Sequence, residues 1–332
     1  MNEAEFRGWK TKVLNPEPYL FEVYPPDFDS PIVFLHCTSE INTALGFRMG
    51  GEKMLVYTIA KSTGIPMPAG LMYKLNRPGF QQELKESLRT HQRLVVKPND
   101  GACGVGVTTT ITDEKSLQTA VEYAKQFSTK ILIQAYADGD DYRVLVLNGR
   151  AIAASLRCAP CVIGDGIRTI SELIEVENAR PIRGVGHEKP LLKINLNQVC
   201  RYLGTDRLNS VPENGCKVHL LGVANLSCGR ATYDVTESMH PSIFRLAEKV
   251  TNATYLSLCG VDLLITGDIT KLIRFGCQAT VIEINPSPGL RIHHYPAGGP
   301  ARNVAGRDRN RTELSNNSVR FGSTQPNRIR NS

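Results

Sequence analysis

The sequence has no run of about 18 apolar residues, which excludes a membrane-spanning helix of ordinary length. Its first residues, MNEAEFRGWK, lack the apolar centre of a secretory signal. Nine cysteines are present, an odd and scattered set without the dense spacing of a disulfide scaffold. These absences predict a cytoplasmic protein in a reducing setting. No internal repeat is visible, and no Ser-His-Asp nucleophile set stands out. The glycine-rich stretch is neither GxxxxGK[ST] nor GxGxxG opening a helix, so P-loop and Rossmann fingerprints are excluded.

What is present is ordinary globular composition: 332 residues, 41% hydrophobic and 21% charged, enough for two or three structural units. The net charge of +7 invites a nucleic-acid partner, but its placement weakens that reading. Between Arg302 and Ser332 seven arginines face only Asp308 and Glu313, so this tail holds +5 of the +7. Poor in apolar residues, the tail is expected to be disordered over 306–332.

Along the chain, PIVFLHC reads as a strand and MLVYTIAKSTG as a helix stopped at Gly64. IPMPAGLMYKL and RLVVKP read as strands, with QQELKESLRTH a short helix between them. SLQTAVEYAKQF is amphipathic, with Leu117, Ala120, Val121, Ala124 and Phe127 on one face. ILIQAYADG follows as a strand, then YRVLVLNGRAIAASLR as a hairpin turned at Asn148-Gly149. Short helices and charged loops over about 164–233 suggest an inserted lid. HPSIFRLAEKVTNATYL is a helix with Pro241 in its first turn, followed by the strands CGVDLLIT and ATVIEIN. The layout is α+β with mostly antiparallel sheets. Its expected units are 1–72 (a short N-terminal unit), 73–136 (glycine-rich flap), 137–305 (core with lid) and the tail.

Two groups of residues carry chemistry. Gly101, Gly104 and Gly106 beside Lys97 would let backbone N–H groups approach an anion, although an ordinary hairpin loop suits them equally. Asp262 in GVDLLI and Glu283 and Asn285 in VIEIN offer hard oxygen ligands from two strands, as Mg²⁺ requires. Pairing with lysines at strand rims is the competing account. Cys158-Ala-Pro-Cys161 has CxxC spacing but no second pair, which favours packing over metal or redox chemistry.

As a set these stretches, with VVKPNDGACGVGV, GDDYRVLVLNGRAIAA, VIGDGIRTISELI and VIEINPSPGLRIHHYPAGGPARNVA, resemble the ATP-grasp superfamily. The resemblance runs from about Gly51 to Ala305. It is nearest to the ATP-grasp part of cyanophycin synthetases, then to that of bifunctional glutathione synthetases. It implies two α+β subdomains clasping ATP, with an inserted lid. By resemblance, Lys53 and Lys97 hold ATP phosphates, Gln134, Ala135 and Tyr136 bind adenine, and Asp141 accepts ribose hydroxyls. Asp262, Glu283 and Asn285 then ligate Mg²⁺ (or Mn²⁺). Arg143 faces the reacting groups, and Arg291 and His293 are candidates for catalysis and substrate binding.

The implied activity is ATP-dependent joining of a carboxylate to an amine through an acyl phosphate, on amino acids or short peptides. Relatives commonly form oligomers, so a homo-oligomer is possible. The chain departs from these relatives at Leu221 and Gly222, where they carry arginines, and at Arg230, where they carry glycine. It also lacks the second ligase domains of both named relatives, which predicts a stand-alone ligase with its own substrate pair. An ATP-binding protein of regulatory or assembly role, with little turnover, is the alternative.

Overall fold

The computed structural model describes residues 2–74, 79–99, 104–184, 191–221 and 231–307. Gly101, Gly222, Arg230 and the tail from 308 onward lie outside these residues.

Helix α1 (Asn2–Phe6) precedes an antiparallel sheet, β1 (Lys10–Pro16), β2 (Tyr19–Tyr24), β3 (Ile32–Leu35) and β4 (Thr38–Ser39), in that order. Alternation along YLFEVY puts Phe21 and Val23 on its buried face, where Phe21 stacks on Phe34 at 5.0 Å. Next come α2 (Ala44–Gly51), capped by the Thr43 hydroxyl, and α3 (Lys53–Thr63), closed by left-handed Gly64. Val56 and Ala60, one turn apart on α3, enter the main core. The sequence read only the second of these as a helix and grouped it with residues 1–72; α3 packs on the C-terminal part of the chain, where Val56 and Ala60 are buried with Ile243, Ala247 and Val281.

The flap unit contains β5 (Gly70–Lys74), α4 (Phe80–Thr90), β6 (Leu94–Pro98), β7 (Thr108–Ile111), α5 (Glu114–Lys125) and β8 (Lys130–Ala135). Its strands are ordered β5-β8-β6-β7, all antiparallel. A capping box of Asp113 and Ser116 starts α5. Leu117, Ala120, Val121 and Ala124 are buried as the periodicity predicts. Phe127 is not: α5 stops at Lys125, and the ring lies past it, 42% exposed.

β9 (Asp140–Leu147) and β10 (Arg150–Cys158) form the expected hairpin, with Asn148 and Gly149 both at positive φ. The lid follows: β11 (Cys161–Ile163), α6 (Ile170–Asn178), β12 (Arg183–Gly184), β13 (Leu191–Leu192), α7 (Leu196–Leu203), α8 (Thr205–Leu208) and β14 (Lys217–His219). Ile170, Ile174, Val199 and Leu221 give it a separate core. Its limits differ from the expected 164–233. Cys161–Ile163 already pairs inside the lid with β14, and β15 (Ala231–Asp234) pairs with β10 of the main sheet. Cys158 and Cys161, neither in a disulfide, flank the Ala159-Pro160 link between the main sheet and the lid.

After α9 (Pro241–Ala253) come β16 (Leu258–Gly267), β17 (Cys277–Asn285) and α10 (Arg291–His294), then a 3₁₀ turn at Ala305–Arg307. The main sheet is ordered β15-β10-β9-β16-β17 and is antiparallel throughout. One face is apolar, with Val144, Val146, Val261 and Leu263 packed against Ile243, Ala247 and Val250 of α9. The other face carries Asp141, Arg143, Arg157, Asp262 and Glu283, because strand alternation sends every second residue there. No helix among the described residues is long and apolar enough to cross a membrane.

Candidate functional site

A cleft lies between the flap unit and the polar face of the main sheet. Val95, Leu264 and Ile282 give it apolar walls, and Lys53, Lys97 and Glu283 line it with charge.

Strand register brings the sequence-singled carboxylates together. Asp262 is the direct partner of Glu283, and Asn285 is the partner of Gly260. The pairing then jumps to Leu263–Val281, leaving Ile282 as the extra residue of a β-bulge. The bulge turns Ile282 to the same side as Glu283, so one strand supplies both an apolar wall and a carboxylate.

Asp262 is fully buried and heavily held. Its Oδ1 accepts from Arg143 Nε at 2.6 Å, and its Oδ2 accepts from Arg143 Nη2 at 2.7 Å. Arg157 Nη2 approaches Oδ2 at 3.0 Å, and the Asn285 amide donates to it at 3.3 Å. Burial alone would raise the carboxyl's pKa, but the two guanidiniums reverse this and hold it at about 2. Gly260 makes the geometry possible. A Cβ there would stand 3.0 Å from the Pro288 ring and 3.3 Å from Arg143 Cδ.

Glu283 is held differently, 3.3 Å from Lys53 Nζ. Lys53 also donates to the Asn99 carbonyl at 3.4 Å, while the Asn99 side chain accepts from the amide of Met54 at 3.2 Å. The base of the flap is thereby tied to the start of α3. Burial lowers the pKa of Lys97, Glu283 opposes that, and Lys53 adds repulsion. Two cations sharing one carboxylate in a desolvated cleft favour the arrival of an anion. Gly104 and Gly106 both sit at φ 74°, a conformation that costs glycine nothing.

The segment expected to bind a base contributes through a side chain. The amides of Ala135 and Tyr136 already donate to Ala69 and Arg93 carbonyls at 2.7 and 2.8 Å. Gln134, 1% exposed, donates its amide nitrogen to the Pro68 carbonyl at 3.4 Å. Its Oε1 is buried with no hydrogen-bond partner among the described residues, and the residue lines the cleft. An orphaned acceptor beside apolar walls fits the exocyclic amine of a purine.

Asp141 lies at the cleft but its carboxylate is buried and paired with Arg157, whose Nε donates at 3.0 Å. His293 is buried too, its Nδ1 3.0 Å from the Ser155 hydroxyl. Burial, helped by Arg143 and opposed by Asp234, lowers the His293 pKa to about 3, so the ring is neutral. Arg291, partly buried, opens α10 just beyond the Pro-Ser-Pro-Gly turn.

Among the described residues no group of three or more His, Cys, Asp or Glu could hold a metal ion. Asp262 and Glu283 are a two-carboxylate set, and Asn285 adds an amide oxygen. Such a set fits Mg²⁺ tightly when phosphate oxygens complete its shell, and only weakly when water does.

The ATP-grasp domain family matches residues 51–289, well over half of the sequence. The chain belongs to the ATP-grasp family. It is 36% identical over 267 residues to the cyanophycin synthetase of Trichormus variabilis, covering 79% of this chain and 29% of that protein. To the bifunctional glutathione biosynthesis protein of Streptococcus agalactiae it is 35% identical over 219 residues, covering 64% of this chain and 29% of that one. The fold of the bifunctional glutathione synthetase from Pasteurella multocida superposes with a TM-score of 0.60 at 24% identity, covering 89% of this chain and 41% of that one. The ATP-grasp chain thus spans less than a third of the length of these two curated relatives.

Sequence reasoning missed Arg157, which joins Asp141 to Asp262, and the Arg302–Asp234 pair at 2.7 and 2.9 Å. The hairpin at Asn148-Gly149 signals that β10 folds back over β9, but the register shift between Ala151 and Ala153 hides the pairing of Arg157 with Asp141.

Proposed function

We propose that the chain is a Mg²⁺- and ATP-dependent carboxylate–amine ligase acting on amino acids or short peptides in the cytoplasm. The carrying observation is the pairing of Asp262 with Glu283 beside Lys53 and Lys97, in a cleft whose apolar part holds the orphaned Gln134 acceptor. A base fits against Val95, Leu264 and Ile282. Lys53 and Lys97 then face its phosphates, and Asp262, Glu283 and Asn285 would hold the metal.

When bound, Mg²⁺ would neutralise phosphate charge. The substrate carboxylate attacks the γ-phosphate, giving an acyl phosphate and ADP. The amine attacks the acyl carbon, the amide forms, and phosphate leaves. No protein nucleophile takes part. The protein's work is positioning and electrostatics, with Arg143 and the two lysines around the transferring group and the lid excluding water.

The test is phosphate release from MgATP in the presence of amino-acid and peptide pools, with condensation products followed by mass spectrometry. Release that requires both a carboxylate and an amine supports the ligase. Tight ATP binding without amine-dependent turnover in any pool replaces it with a nucleotide-binding regulatory or assembly role. One observation favours that second reading: Leu221, where relatives carry arginine, is 1% exposed inside the lid's own core and brings no charge to the cleft.

A further inference from the structure

Asp262 has more cationic company than a metal ligand can keep. Both its oxygens accept from Arg143, and Oδ2 also faces Arg157 and the Asn285 amide. Oδ2 is fully engaged, and a divalent ion would have to use the lone pair left on Oδ1, beside the Arg143 guanidinium. It also needs the guanidinium charge removed, because like charges at contact distance repel strongly in a buried site.

The two arginines are not equally able to leave. Arg157, whose side chain is 5% exposed, is held by two carboxylates, Asp141 through Nε and Nη2 and Asp262 through Nη2. Arg143 makes its side-chain hydrogen bonds among the described residues to Asp262 alone. Its side chain is 14% exposed, and it runs over Gly260, where the absence of a Cβ leaves its stem free to swing.

Building on the ligase reading, we propose that Arg143 and a divalent cation are mutually exclusive partners of Asp262. In the metal-free protein Arg143 is the counter-ion that stabilises the buried carboxylate. When the metal–nucleotide takes Asp262, Arg143 is released with its charge intact and becomes the ligand for the negative charge of the acyl donor. Arg157 stays, keeping Asp262 in place between the two states. No bond is made or broken in this exchange. Its consequence is an order of events in which the carboxylate substrate is bound productively only after metal–nucleotide.

The test uses the full chain without nucleotide and Mn²⁺ alone as the probe, followed by the electron paramagnetic resonance signal of free Mn²⁺. Wild type should bind weakly. Arg143→Met should bind Mn²⁺ about tenfold more tightly or better, since a competing charge is gone. Arg143→Gln, which keeps a hydrogen-bond donor and is the safer variant for folding, should show the same gain. Arg143→Lys restores a cation and should return the affinity toward wild type. Asp262→Asn added to Arg143→Gln should abolish the gain. Folded Arg143→Gln with Mn²⁺ affinity equal to or below wild type overturns the exchange. Because no ATP or substrate is present, that result is separate from any failure of ligase turnover.

Discussion

Asp262 and Glu283 face each other across β16 and β17, yet each is neutralised by a different kind of cation. Asp262 is buried under the planar forks of Arg143 and Arg157, whereas Glu283, at 30% side-chain exposure, meets the flexible Lys53 across 3.3 Å. The two carboxylates of one site therefore differ in how far folding depends on them.

For Glu283 the dependence is small. Glu283→Gln keeps the shape, removes a partly exposed charge and leaves Lys53 its Asn99 carbonyl. The melting temperature should move by less than about 3 °C. MgATP-dependent turnover should fall by on the order of 100-fold or more, because the proposed metal site loses a charged oxygen ligand. Differential scanning fluorimetry and steady-state kinetics on one preparation check both. A large melting shift with intact turnover contradicts the assignment.

For Asp262 the outcome reverses in weight. Asp262→Asn leaves two buried guanidiniums without their shared carboxylate, and should cost about 3–5 kcal/mol of stability by urea denaturation. Removing Arg157 at the same time, as Arg157→Met, should recover part of that loss, since the two sites are in contact. Purely additive effects would show that the arginine network is not what holds Asp262.

The belt of charges was only half legible in the sequence. Strand alternation placed Glu283 and Asn285 together, and apolar patterning found most of the helices and strands, because both follow from local geometry. Bulges do not. Counting back from the Asn148-Gly149 turn pairs Arg157 with Asp140, on the wrong face. The register slips between Ala151 and Ala153, and only then does Arg157 oppose Asp141. The bulge at Ile282 likewise put a wall residue beside Glu283. Lid limits were missed for a related reason: Ala231–Asp234 is assigned by its pairing with β10, more than seventy residues earlier in sequence, which no local pattern reports.

Gln134 makes the nucleotide preference testable. Gln134→Met keeps bulk while deleting the buried acceptor, and should weaken ATP binding by about 5- to 30-fold through one lost hydrogen bond. GTP, which presents a carbonyl where ATP has an amine, should lose less. Calorimetric titration with both nucleotides gives the ratio. An unchanged ratio means the Gln134 acceptor does not read the base.

Gly260→Ala probes the floor beneath Arg143. The added methyl meets Pro288 and the Arg143 stem at 3.0 and 3.3 Å, tighter than ordinary contact, so a loss of about 1–3 kcal/mol is expected. Gly289→Ala is the control, since a Cβ there meets nothing within 4 Å. Equal stabilities for the two variants would mean that Arg143 shifts without strain.

His293 sets an acid limit on stability. Its pKa is about 3 in the folded protein, against about 6.5 when unfolded. Between those values the unfolded chain binds the extra proton, so stability rises with pH and is lost as pH falls from 6.5 toward 3. Lowering pH from 7 to 5 should remove about 2 kcal/mol through this one residue. His293→Asn, which keeps a polar group near the Ser155 hydroxyl but cannot titrate, should lose that much less over the same interval. Urea denaturation of both proteins at pH 5 and pH 7 isolates the difference, and parallel losses would assign the acid sensitivity to other groups.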